Sequence, residues 1–131
     1  MDPLPYTADD VAAATRRLRE IMARYPEVTE RLSHGAVTFF VREKRVVAYL
    51  TDDHHGDRSL ALTCPAPPGV QEELVRSDPE RFFRPPYVGH RGWIALRLHV
   101  DPDWDEVAGL VDEAYRKVAP VTLVRHLDAS T

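Results

Sequence analysis

Cysteine is almost missing from this chain: Cys64 stands alone in 131 residues. A single thiol forms no internal disulfide and no cysteine cluster for zinc, which fits a reducing, cytoplasmic setting. Lysine is scarce as well, since Lys44 and Lys117 are the only lysines among 17 Lys and Arg residues. Against 21 Asp and Glu this leaves a formal net charge of -4. Nothing therefore draws the whole molecule to phosphate backbones or anionic lipid, and a nucleic-acid role needs a local basic patch. No stretch approaches the roughly 18 apolar residues of a membrane span. The opening Met1-Asp2-Pro3-Leu4-Pro5 has neither the basic nor the apolar region of a secretion signal. Also absent are Gly-x-Ser-x-Gly, His-Glu-x-x-His, a Gly-rich phosphate loop and Cys-x-x-Cys. The sequence grounds for hydrolase, zincin, nucleotide-binding and redox chemistry go with them. The expectation is a binding protein rather than an enzyme, with no cofactor and no metal.

What is present suits one ordinary folded domain spanning 1–131. The chain is 44% hydrophobic and 29% charged, far from the compositions that stay disordered. Its length supports one sufficient core, and no repeat or linker marks a boundary. Thr7 followed by Asp10 predicts a capped helix whose apolar stripe is Val11, Ala14, Leu18, Ile21, Met22 and Tyr25, ended by Pro26. Residues 36–41 and 46–50 read as two antiparallel strands joined by the polar turn Arg42-Glu43-Lys44-Arg45, and 59–64 as a third strand stopped by prolines. A short helix follows over 69–77, ended by Asp78-Pro79. Phe82-Phe83-Arg84 reads as extended, Gly89 and Gly92 bracket a tight turn, and residues 93–100 form a strand with Ile94, Leu96, Leu98 and Val100 on one face. Asp101-Pro102-Asp103 opens the last helix, with Trp104, Val107, Leu110, Val111, Ala114, Tyr115 and Val118 as its stripe. The tail at 121–124 reads as a short extended piece. Segregated rather than alternating elements predict an α+β fold: an antiparallel sheet with the N- and C-terminal helices packed on one face.

Taken in order, several of these segments resemble the MmcQ/YjbR family of small bacterial proteins. The resemblance rests on the N-terminal helix, on the strand Gly35-Ala36-Val37-Thr38-Phe39-Phe40-Val41 leading to Lys44, and on Pro86-Tyr87-Val88-Gly89-His90-Arg91-Gly92-Trp93-Ile94-Ala95-Leu96. The late segment Glu113-Ala114-Tyr115-Arg116 is similar to the family's Ser-Tyr-Arg, with Ala114 in place of the serine, and Arg45 stands where the family pattern has phenylalanine. The resemblance implies a "double-wing" α+β fold and the DNA-binding role with which the family is commonly labelled. The founding member's association with an antibiotic gene cluster implies an alternative, small-molecule binding or self-protection.

The residues point to the same region. From Arg81 to Val100 the chain has Arg81, Arg84, Arg91 and Arg97 without one Asp or Glu, together with Tyr87, His90, Trp93 and His99. Arginine pairs bidentately with phosphate or carboxylate and stacks on rings, and Tyr and Trp stack on a base or a planar ligand. With the turn cations Arg42, Lys44 and Arg45, the candidate binding residues are Arg84, Tyr87, His90, Arg91, Trp93 and Arg97, for DNA or an aromatic small molecule. In the plainer alternative Arg97 is solvated, Trp93 packs under a helix, and Arg81 pairs with Asp78 or Glu80. A concave, aromatic-lined cavity favours a small molecule, and a flat, continuous positive surface favours DNA. Strand alternation sets the Trp93 ring on the side away from the helices, where its removal is expected to cost much less stability than loss of a core aromatic. His54 and His55 are metal-capable but lack a recognised ligand spacing, so a solvated loop is expected there. Cys64 is expected to be a small buried hydrophobe.

Overall fold

Helix α1 (Ala8–Met22) begins where the capping box predicts: Thr7 Oγ1 accepts from Asp10 N at 3.1 Å, and the Asp10 carboxylate accepts from Thr7 N at 2.7 Å. The computed structural model describes residues 2–130. Six strands follow: β1 (Val28–Ser33), β2 (Ala36–Val41), β3 (Arg45–Asp52), β4 (Leu60–Cys64), β5 (Phe82–Phe83) and β6 (Ile94–Arg97). They form one antiparallel sheet in the order β1-β2-β3-β4-β6-β5. Helix α2 (Val70–Ser77) connects β4 to β5, and α3 (Trp104–Val118) and α4 (Val121–Ala129) close the chain. The Asp103 carboxylate caps α3 through the amides of Asp105 (2.9 Å) and Glu106 (3.4 Å). None of these helices is long and apolar enough to cross a membrane.

The α+β architecture agrees with the sequence, and three elements differ from it. The sequence does not predict strand β1, because in Val28-Thr29-Glu30-Arg31-Leu32-Ser33 the charged Glu30 breaks the Val28–Leu32 alternation and the middle of the segment is exposed. It is held as an edge by β2 and by the Arg19–Glu30 ion pair at 2.7 Å. The tail is not extended: 121–129 is helical, starting after Pro120 and burying Leu123 and Leu127, one turn apart. Strand β6 is also shorter than 93–100, ending at Arg97.

One core lies between the sheet and the terminal helices. Ala14, Leu18 and Met22 of α1 and Val107, Val111, Ala114, Tyr115 and Val118 of α3 meet Phe39, Ala48, Leu50, Leu62, Ile94 and Leu96 of the sheet. The Tyr115 hydroxyl donates to Pro26 O at 2.8 Å, and Arg116 pairs with Asp112 and Asp128, so this segment ties the helices to the rest of the fold. Cys64 is in the same core. Burial, then the nearby Glu113 carboxylate, pushes its thiol up to about 12.

A bulge interrupts the β2–β3 pairing. Phe39 faces Ala48 while Phe40 faces Val46, which leaves Val47 as the extra residue. Val47 and Ala48 both belong to the core, and Val46 is turned to the other face of the sheet.

Candidate functional site

The face of the sheet away from the helices carries what period-2 geometry leaves over: Thr38 on β2, Tyr49 and Thr51 on β3, Ala61 and Thr63 on β4, and Trp93, Ala95 and Arg97 along β6. Small and hydroxyl side chains fill the middle, so the sheet floor is low there. Loops rise around it and enclose a cleft of about 630 Å³. Thr38, Tyr49 and Thr51 form its floor, Ser33 and His34 from the β1–β2 turn one wall, and His54 and His55 a second. Tyr87, Val88, Arg91 and Trp93 form the third. Burial raises the Tyr49 phenol above its ordinary range.

The aromatic and imidazole rings at the rim hold each other. The His54 and His55 rings lie 4.0 Å apart between centroids and are tilted by 54°, the Tyr87 ring meets His55 edge-on at 6.0 Å, and the Tyr87 hydroxyl lies 3.1 Å from His55 Nε2. Tyr87 is nevertheless 72% exposed, on a residue with φ of 67°. A large ring left open at the edge of a concavity provides a stacking surface for a planar partner.

Trp93 lies outside the helix-side core, on the side the alternation indicates, with Tyr49 at 6.3 Å and the Arg91 guanidinium 5.1 Å from its ring centroid. It is only 7% exposed. Open-face neighbours enclose the ring, so the expectation that its loss would be cheap does not follow from its face alone. The loop that carries it is pinned by Gln71, which the sequence did not single out. Gln71 Nε2 donates to Gly89 O at 2.8 Å and Trp93 O at 2.5 Å.

A second concavity, of about 330 Å³, adjoins the first and shares Val46, Arg91 and Trp93 with it. Lys44 and Arg45 come from the β2–β3 turn and Lys117 from the last turn of α3, while Pro65 and Val118 complete the lining. Lys44, Arg45, Arg91 and Lys117 are all exposed, and none lies within ion-pair distance of a carboxylate among the described residues.

Of the nine candidate binding residues, Tyr87, Arg91 and Trp93 line the cleft, and Lys44 and Arg45 join Arg91 and Trp93 around the basic concavity. The other four lie outside both. Arg42 pairs with Glu27 at 3.4 Å. Arg84 lies across Gly89, where an added Cβ would meet its Cγ at 2.6 Å. His90 is exposed on the turn at 89–91. Arg97 faces the expected side of the sheet, but its guanidinium stacks over Phe83 at 4.5 Å and donates to Ser59 Oγ, Pro79 O and Glu80 O. Arg81 pairs with Asp78 and with Glu106 of α3. Alternation could have found Tyr49 and Thr51, since both lie out of phase with Ala48 and Leu50; nothing local marks Lys117.

A protein-family model described as YjbR matches residues 23–117. That span contains the whole sheet and every residue named above as lining the two concavities except Val118. The comparison with curated proteins found no match.

Proposed function

The chain belongs to the YjbR family, and on that premise we propose that it is a non-catalytic binding protein whose open-face cleft takes a planar small molecule. The observation that carries this reading is the cleft itself, about 630 Å³. Small-molecule sites run from about 300 to 1,000 Å³, are mostly apolar, and hold a few convergent polar groups. Tyr49, Tyr87 and Trp93 supply ring surface, and Thr38, Thr51 and His55 supply hydrogen-bonding groups. The planar ligand lies on the threonine and tyrosine floor, with Tyr87 against one of its edges.

Binding of DNA is the second reading, favoured by the unpaired cations Lys44, Arg45, Arg91 and Lys117 around one concavity. Two of the candidate cations, Arg42 and Arg97, are held by groups of the protein itself, Arg42 by a surface ion pair with Glu27 and Arg97 by Pro79 O and Glu80 O. The remaining positive surface is recessed rather than flat.

Ala36→Trp tests the first reading, because Ala36 is a half-buried strand residue on the cleft wall, where an indole fills the cavity without entering the core. A planar aromatic compound at about 100 times its Kd should stabilise the wild type by about 2.7 kcal/mol, seen as a rise in Tm. The filled variant should show no such rise. If a duplex oligonucleotide instead binds both proteins alike, with affinity falling steeply with salt through counterion release, the cleft is not the site and the DNA reading replaces this one.

A further inference from the structure

The two concavities share a wall, and their chemistry differs on its two sides. On one side lies ring and threonine surface, and on the other are Lys44, Arg45, Arg91 and Lys117 with no carboxylate among the lining residues. We propose that they are one composite site, and that its ligand is a planar ring system bearing an anionic group, a carboxylate or a phosphate. This rests on the cleft reading above and adds the charge and the orientation of the ligand.

Three features support it. Arg91 lines both concavities and lies over the Trp93 ring at 5.1 Å, so one guanidinium is placed to contact a ring and an anion together, as its planar fork and weak hydration favour. The chain as a whole carries a net charge of -4, yet these four cations gather around one concavity that no carboxylate lines, and among the described residues none of them has a carboxylate partner. Unpaired cations around a concavity raise the local concentration of an anion. Finally, the cations come from three separate parts of the chain, the β2–β3 connection, the turn at 89–91 and the end of α3, where Lys117 also meets the negative end of the helix dipole. The ring occupies the cleft over Tyr49, its plane bounded by Tyr87 and Trp93, and the anion points past Arg91 towards Lys44 and Lys117.

Isothermal titration of the full chain with 2-naphthoate, 2-naphthyl phosphate and the neutral 2-naphthalenemethanol tests this. The anions should bind about tenfold or more tightly than the neutral probe, the factor expected of one or two hydrogen bonds to a charged group. Comparing the carboxylate with the phosphate tells which anion the four cations suit. Lys44→Gln and Lys117→Gln should remove most of that preference and leave the neutral probe's affinity unchanged, and Arg125→Gln, which deletes the same charge on α4, should change neither. Equal affinity for charged and neutral probes overturns the anion inference and leaves the cleft reading standing. Failure of all three probes to bind overturns both. Binding of a single-stranded oligonucleotide without binding of 2-naphthyl phosphate overturns the small-molecule inference in favour of nucleic acid.

Discussion

Gln71 joins α2 to the loop that carries Tyr87, Arg91 and Trp93, and its replacement by methionine isolates that role. The two side chains have similar length, and Met is a good helix former, so α2 and its packing survive the change. What disappears is one amide donor, 4% exposed as a residue, bonded to Gly89 O at 2.8 Å and Trp93 O at 2.5 Å. Gly89 and Trp93 are themselves buried. Gly89 O keeps the Gly92 amide at 3.0 Å, so the main cost is at Trp93 O, about 1–3 kcal/mol for a buried acceptor that loses its donor, and methionine returns part of this because it brings no polar group into the interior. The net loss should be about 1–3 kcal/mol, a sizeable part of the roughly 5–15 kcal/mol that holds a domain together. Urea unfolding followed by far-ultraviolet dichroism should show a lower midpoint at unchanged slope. Amide exchange should quicken first at 86–92, since the loop opens before the core does. A loss under about 0.5 kcal/mol, the ordinary scatter of surface substitutions, with exchange at 86–92 unchanged, would refute the claim that this amide fixes the loop.

Trp93→Ala should cost about 3 kcal/mol in urea unfolding, near the low end for a buried aromatic, because the ring is enclosed yet borders two concavities into which water can follow; a loss below about 1 kcal/mol contradicts its burial. Glu30 is held below the usual carboxylate range by its hydrogen bond to Arg19. Its stabilising contribution is therefore present above the ordinary carboxylate pKa and lost as pH falls through the lower folded value, so Glu30→Gln should flatten the acid limb of the stability curve slightly, the pair being largely solvent-screened. Cys64 has its thiol raised from 9.0 to about 12 by burial, so at pH 8 the native chain should resist a thiol reagent and become labelled only as it unfolds in urea; rapid labelling of the folded protein would place the thiol at the surface. Above pH 9 the unfolded thiol ionises before the folded one, and stability should fall in a way that Cys64→Val removes.

Local chemistry made some elements readable from the residues alone. Thr7 with Asp10 and Asp103 with the following amides are caps whose partners lie within a few residues, and the Ile94–Leu96–Leu98 alternation needs no long-range information. Strand β1 could not be read that way, since Glu30 breaks the Val28–Leu32 alternation, the other face is polar, and its pairing is decided by β2. The segment at 121–129 begins with a β-branched, apolar run that suggests extension, and only the Leu123–Leu127 spacing tells of a helix that must dock. The site divided along the same line. Alternation put Arg97 and Trp93 on the correct face, but which groups would receive a guanidinium was set by Pro79 and Glu80 folding back beside β6. Lys117 and Lys44 are far apart in sequence and reach one concavity only because α3 lies across β3 and β4.

The extra residue at Val47 changes how the binding face can vary. In an uninterrupted β3, the strand phase that buries Leu50 and Ala48 would bury residue 46 as well, and the wall of the cleft would be inherited from the core. With Val47 inserted, residue 46 is released from that phase and lines both concavities. Its size and polarity can then drift without a packing penalty inside the protein. Position 46 is thus a dial for ligand preference that the fold leaves free to turn: isoleucine would narrow the passage between the ring cleft and the basic concavity, alanine would widen it, and threonine would add a hydrogen bond, each at little cost to the domain that carries it.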